Sequence, residues 1–203
     1  MRTLEDAEPL PRSFYARPVL DVARDLVGKR LIHRAADGVA GGRIVEVEAY
    51  RGPEDLAAHS ARGRRTKRTE VMFGEAGRAY MFLLYGTSWA FNVVTGEVEQ
   101  PHAVLVRALE PIEPLDVIWR RRTRKRTQRE LTNGPGKLCA ALALDGSLYG
   151  ADLCAGPVLI CEGESGRIGR SQRINIDYAG AWIGKRWRFY ERGNRYVSVK
   201  PRD

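Results

Sequence analysis

Apolar residues along this chain fall mostly in short runs of strand length, and helical spacing is confined to a few short stretches. Residues 18–27 (PVLDVARDLV) form one of these. Leu20, Ala23 and Leu26–Val27 share a face, and Pro18 suits the first helical position. A second helix is predicted from Pro114 (PLDVIWRRR), with Leu115, Ile118 and Trp119 inward. A third is predicted from Pro135 (PGKLCAALAL), with Leu138, Ala141 and Leu142 inward. Strands are predicted at 31–33 and 43–50, paired across a turn at 37–42, and again at 79–84, 90–94, 102–109, 158–161, 187–190 and 196–199. Runs of strands with few helices between them favour an α+β fold over a doubly wound parallel sheet. The expectation is a curved, mostly antiparallel sheet flanked by helices. The segment YGTS at 85–88, between two strands, reads as a protruding β-hairpin.

No repeat and no Gly-, Ser- or Pro-rich linker divides the chain, so 203 residues read as one domain spanning 1–203, with 1–12 as a loose N-terminal arm. The polar stretch between Arg51 and Arg78, with a helical turn expected at PEDLAAHS, is long for a connection, and such loops are usually functional. Hydrophobic residues at 43% and charged residues at 29% are an ordinary foldable mix. No apolar run approaches the roughly 18 residues of a spanning helix, which excludes an integral membrane role of that kind. Lys and Arg number 34 against 25 Asp and Glu, a net charge of +9, and 28 of the 34 are Arg. That excess favours polyanionic partners, nucleic acid first. Three cysteines, an odd number without C-x2-C spacing, argue against a disulfide scaffold or zinc knuckle and point to an intracellular compartment. The first residues hold no apolar core of a secretory signal.

The densest chemistry is in RIVEVEAY, residues 43–50. In a regular strand Ile44, Glu46, Glu48 and Tyr50 share one face, so two carboxylates and a phenol project together. A half-buried carboxylate there could serve as acid or base, whereas an exposed face would make both glutamates filler. Arg107, inside the apolar HAVLVRALEP, requires a partner such as Glu48, for catalysis or for structure alone. His59 is one of three histidines and belongs to no metal-ligand motif. Five aromatics fall within residues 80–91, with Tyr85 at the hairpin tip as a candidate wedge between DNA bases and Asn92 as a polar interruption of AFNVV. TNGPGK, with Gly136 and Lys137, suits a phosphate at a helix N-terminus or a plain turn. The basic runs GRRTKR at 63–68 and RRRTRKR at 120–126 are weak signals alone. The residues alone leave open an acid/base hydrolase, a non-enzymatic DNA-binding protein and a metal-dependent nuclease using Glu46, Glu48 and His59.

Together LVGKRL, RIVEVEAYRGPEDLAAHS, AYMFLLYGTSWAFNVV, AVLVRALEP, TNGPGKLCAALAL and RIG…AGAW…RFYERGNRYVSV resemble the alkyladenine (3-methyladenine) DNA glycosylase family that lacks a helix-hairpin-helix, over roughly residues 12–200. The resemblance implies base-excision repair. A monomer would bind double-stranded DNA in the minor groove, flip out an alkylated or deaminated purine and hydrolyse its N-glycosidic bond, without lyase activity, metal or other cofactor. It implies Glu48 as the base that activates water, with Arg107 and the backbone carbonyl of Ile168 holding that water. Tyr50, His59, Phe82 and Asn92 become pocket residues and Tyr85 the residue filling the gap in the duplex. Phe82 departs from the tyrosine usual at that wall in the mammalian members, and the Thr87–Ser88 tip is smaller and more polar than in some members.

Overall fold

The longest strand is the fourteen-residue β2 (Gly38–Arg51), and the site is organised around it. The computed structural model describes residues 4–122 and 127–200. β2 forms a hairpin with β1 (Arg30–Ala35) through a two-residue turn at 36–37, not across 37–42. Gly41 and Gly42, read from sequence as turn residues, lie inside the strand. A Cβ at Gly42 would sit 2.7 Å from the Leu109 Cβ, so the glycine permits close strand approach. Helix α1 (Arg12–Tyr15) and helix α2 (Val19–Leu26) precede this hairpin. After it come β3 (Ala79–Leu84), β4 (Ser88–Thr95), β5 (His102–Pro111), α3 (Asp116–Arg121), α4 (Pro135–Leu142), β6 (Val158–Cys161), β7 (Ile168–Ser171) and β8 (Arg188–Glu191).

The strands form one sheet with the path β3-β4-β5-β2-β1-β6; β8 pairs with β2, and β7 pairs with β8. All pairings among the described residues are antiparallel. The sheet buries one face against α2, α3 and α4, through Val19, Val22, Leu26, Ile118, Leu138 and Leu142.

The β2–β5 register shifts twice. Ile44 opposes Leu109 and Glu46 opposes Ala108, leaving Val45 extra on β2; Val47 then opposes Val106, leaving Arg107 extra on β5. Each bulge inserts one residue and re-aims side chains. Ile44 therefore lies in the main core with Val47 and Ala49, off the face that carries Glu46 and Glu48. The expected common face of Ile44, Glu46, Glu48 and Tyr50 is corrected accordingly.

Other expectations also change. Residues 196–199 are turn and bend, because Tyr196 is buried against Val45 and Ala108 while Ser198 caps Glu46. Trp119 is partly exposed, and Val117 takes the inward position with Ile118. The segment 53–60 is a chain of turns without a helix. Residues 4–12 are docked: Ala7 and Leu10 are buried, the Leu10 N–H donates to the Ile160 carbonyl, and Arg34 donates to the carbonyls of Glu5 and Ala7. Part of the 120–126 basic run lies outside the described residues.

Candidate active site

β2 carries Glu46, Glu48 and Tyr50 past β5 on one side and β8 on the other. Both glutamates are fully buried and Arg107 nearly so. Bulged out of its ladder, Arg107 spans them: Nε donates to Glu46 Oε1 at 3.1 Å and Nη1 to Glu48 Oε2 at 3.3 Å. Burial works against the Arg107 cation, but the charges of Glu48 and Glu46 outweigh it and raise its pKa.

The two carboxylates have different surroundings. Glu46 also accepts from Arg188 Nε at 2.7 Å and from the Ser198 N–H and Oγ, so its oxygens are occupied by the protein. Glu48 accepts from Tyr50 Oη at 2.8 Å on Oε2 and from the Ile174 N–H at 2.8 Å on Oε1. Tyr50, Arg107 and Ile174 all line a cavity of about 430 Å³, so Glu48 sits directly behind its wall. Burial and the Glu48 charge keep the Tyr50 phenol protonated, well above its ordinary range.

A second buried ion pair supports this wall. Arg173, fully buried, makes a two-pronged contact with Asp55 and donates to the Ala49 carbonyl. Its guanidinium lies 4.8 Å from the Tyr50 ring centre and 5.2 Å from that of Trp187. Tyr50 thus has one face backed by a cation.

Across the cavity, β3 and β4 supply Tyr80, Phe82 and Asn92, and the polar loop before them supplies His59 and Arg68. His59 Nδ1 lies 2.8 Å from Tyr80 Oη, and its ring meets Phe82 edge-on at 4.5 Å. Burial, then the charges of Arg68 and Arg64, push the His59 pKa down to about 4, so the ring is neutral at pH 7. Burial pushes the Tyr80 phenol up to about 12. Asn92 is buried and donates from Nδ2 to the Tyr80 carbonyl at 3.0 Å. At the mouth, Tyr85 stands 86% exposed with φ +49°, and Leu83 is also exposed.

Of the residues singled out from sequence, Tyr50, His59, Phe82, Tyr85, Asn92 and Arg107 line this cavity, with Glu48 behind it. Ile168 does not. It starts β7 opposite Glu191, whereas Ser171 opposes Arg188, which in turn opposes Glu48. The segment that reaches Glu48 is Ile174, six residues later. The dipeptide Arg-Ile occurs at both 167–168 and 173–174, and spacing alone did not separate them. Gly136 and Lys137 open α4, whose Pro135 touches the cavity rim. A Cβ at Gly136 would sit 2.7 Å from the Ser88 Cβ, so this helix end is packed on the hairpin, and Lys137 Nζ donates to Asn133 Oδ1. Arg68 was marked only as the end of the basic run at 63–68, and Ile174, Tyr178 and the Asp55–Arg173 pair were not found from sequence. Among the described residues no three His, Cys, Asp or Glu side chains converge as a metal-binding group, and no helix is long and apolar enough to cross a membrane.

Comparison with known proteins adds a family. The sequence profile described as methylpurine-DNA glycosylase matches residues 13–195. A protein of Desulfitobacterium hafniense named as a 3-methyladenine DNA glycosylase is 48% identical over 200 residues, covering 94% of this chain and 98% of its own. Similarly named proteins of Bacillus licheniformis and Methanocella arvoryzae are 47% and 44% identical, each over 94% of this chain and over 97% and 96% of their own lengths.

Proposed function

The chain belongs to the methylpurine-DNA glycosylase family, and from that premise we propose how its cavity works. It is a DNA glycosylase, a hydrolase of the N-glycosyl bond acting on alkylated purines in base-excision repair. Our reading extends the substrates to deaminated purines. It has a monomer approach double-stranded DNA from the minor groove, with Tyr85 entering the space the base vacates. The basic surface supplies the phosphate contacts, Gly136 and Lys137 among them.

The observation that carries the mechanism is the environment of Glu48: a buried carboxylate behind the cavity wall, held on one oxygen by Ile174 and on the other by Arg107 and Tyr50. In our mechanism Glu48 and Arg107 hold a water against C1′ of the flipped nucleotide. The Ile174 segment, in place of Ile168, provides the third side of that water's site. Glu48 takes the water proton as oxygen bonds to C1′. The C1′–N bond breaks and its electron pair leaves with the base. For a cationic N-alkylpurine that pair neutralises the ring, so no acid is needed. Ionised Glu48 also stabilises the oxocarbenium-like sugar. Among the described residues no lysine lines the cavity, and our reading is simple hydrolysis without a Schiff base. Tyr50 and Phe82 form the two stacking walls, His59 faces the base edge, and Asn92 crowds an exocyclic 2-amino group. The test is incubation with duplexes carrying 3-methyladenine, 7-methylguanine, hypoxanthine or ethenoadenine, followed by alkali. Cleavage at the lesion in the wild-type protein supports the reading, and its absence with all four overturns it.

A further inference from the structure

Arg68 belongs to a turn whose backbone is anchored. The Tyr149 hydroxyl donates to the Lys67 carbonyl at 3.0 Å and accepts from the Val71 N–H at 3.1 Å. Its side chain is exposed at the cavity edge, yet the guanidinium lies over the Phe82 ring, 5.0 Å from the centre. From there Nη2 donates to His59 Nε2 at 3.1 Å. A guanidinium is a planar cation that stacks on aromatic faces. It therefore occupies the ring an electron-poor purine would use. Arginine can only donate, so His59 Nε2 is the acceptor and Nδ1 carries the proton, which it gives to Tyr80 Oη. One side chain thus engages two groups of the base pocket before DNA arrives.

We propose that Arg68 is a displaceable occupant of the base pocket, a cation that holds Phe82 and His59 Nε2 in the free protein and yields both to the flipped base. It also sets the His59 tautomer and so acts as a positioning residue for the base edge. The inference rests on the glycosylase reading above. Because the turn is pinned through Tyr149, the exchange needs only rotation of the Arg68 side chain.

The test is Arg68→Ala with two readouts. Long-range proton–nitrogen spectra of the free protein report the His59 tautomer; only three histidines are present, and His59→Gln assigns the signal. Loss of the Arg68 donor should move His59 from the Nδ1–H form toward a mixture. Separately, 2-aminopurine beside the lesion the wild type excises best brightens as that lesion unstacks. The ratio of flipped to stacked base should rise roughly three- to tenfold, the size of an exposed cation–π contact and part of a hydrogen bond. Both changes are required. An unchanged tautomer, or a flipping ratio that stays level or falls, overturns the proposal. A wild-type protein that excises nothing overturns the glycosylase reading instead.

Discussion

The Ile174 N–H donates to Glu48 Oε1 across 2.8 Å, joining residues 126 positions apart. Arg173, one residue before Ile174, is locked between Asp55 and the Tyr50 ring, so the same short segment sets the Glu48 carboxylate and backs the Tyr50 wall.

That coupling makes Asp55 a sensitive position. Asp55→Asn leaves the Arg173 charge buried without its counter-ion, and breaking such a pair typically costs about 3–5 kcal/mol. Urea denaturation should register a loss of that order. Excision by the protein still folded should also fall, because Ile174 is no longer held. Wild-type stability would show that Arg173 is compensated elsewhere.

Glu48→Gln keeps the shape and removes the base. It should bind lesion-containing duplex nearly as the wild type does, while single-turnover excision drops by at least ~100-fold. Glu46→Gln should act differently. Four donors converge on Glu46 from Arg107, Arg188 and Ser198, so its loss should lower the melting temperature and reduce excision less than Glu48→Gln. Equal loss of excision in two folded variants would overturn the assignment of Glu48 as the base.

At the phosphate-binding candidate, affinity for undamaged duplex should fall linearly in a log–log salt plot by about 0.9 per phosphate neutralised. Lys137→Ala should lower that slope by about one. Tyr85→Ala should leave the slope alone and weaken lesion-specific binding. A slope indifferent to Lys137 means the α4 terminus is not a phosphate site.

For Phe82, base–aromatic stacking is worth about 1–3 kcal/mol by alanine substitution, against about 0.5–1.5 kcal/mol net for a neutral hydrogen bond. Phe82→Ala should therefore slow excision of every lesion strongly, and Phe82→Tyr should change rates by no more than about tenfold. The effect should be larger for neutral hypoxanthine than for cationic 7-methylguanine. A Phe82→Ala protein as active as the wild type would remove this ring from the base site.

Acid should act through His59. Its pKa falls from an unfolded value near 6.5 to about 4 on folding, chiefly through burial and then through Arg68 and Arg64. The folded protein thus binds fewer protons than the unfolded chain between those values. The stability tied to neutral His59 is complete above about pH 6.5 and is lost as pH falls toward 4. His59→Gln should flatten that decline by up to about 3 kcal/mol, part of which His102, also lowered by burial, will retain. Denaturation curves at half-unit pH steps would show it, and parallel curves for the two proteins would contradict it.

The short apolar runs at 79–84, 90–94 and 102–109, the aromatic cluster and the YGTS hairpin were legible in the sequence, because run length and turn chemistry are local properties. So was the pairing of an arginine in HAVLVRALEP with a carboxylate of RIVEVEAY, since a charge in an apolar strand needs a counter-charge. The bulges at Val45 and Arg107 were not legible: one extra residue among apolar neighbours leaves no compositional trace, yet it moved Ile44 to the core face and freed Arg107 to span two glutamates. Nor could spacing choose between Ile168 and Ile174, because that choice depends on which part of the late chain pairs with β8. The Asp55–Arg173 pair and the placement of Arg68 over Phe82 join residues that are neighbours only after folding. The chain's own pattern determined which strands and which reactive side chains exist. Their alignment around one buried carboxylate was decided by long-range strand register, which the hydrophobic pattern restricts to a face but not to a single residue.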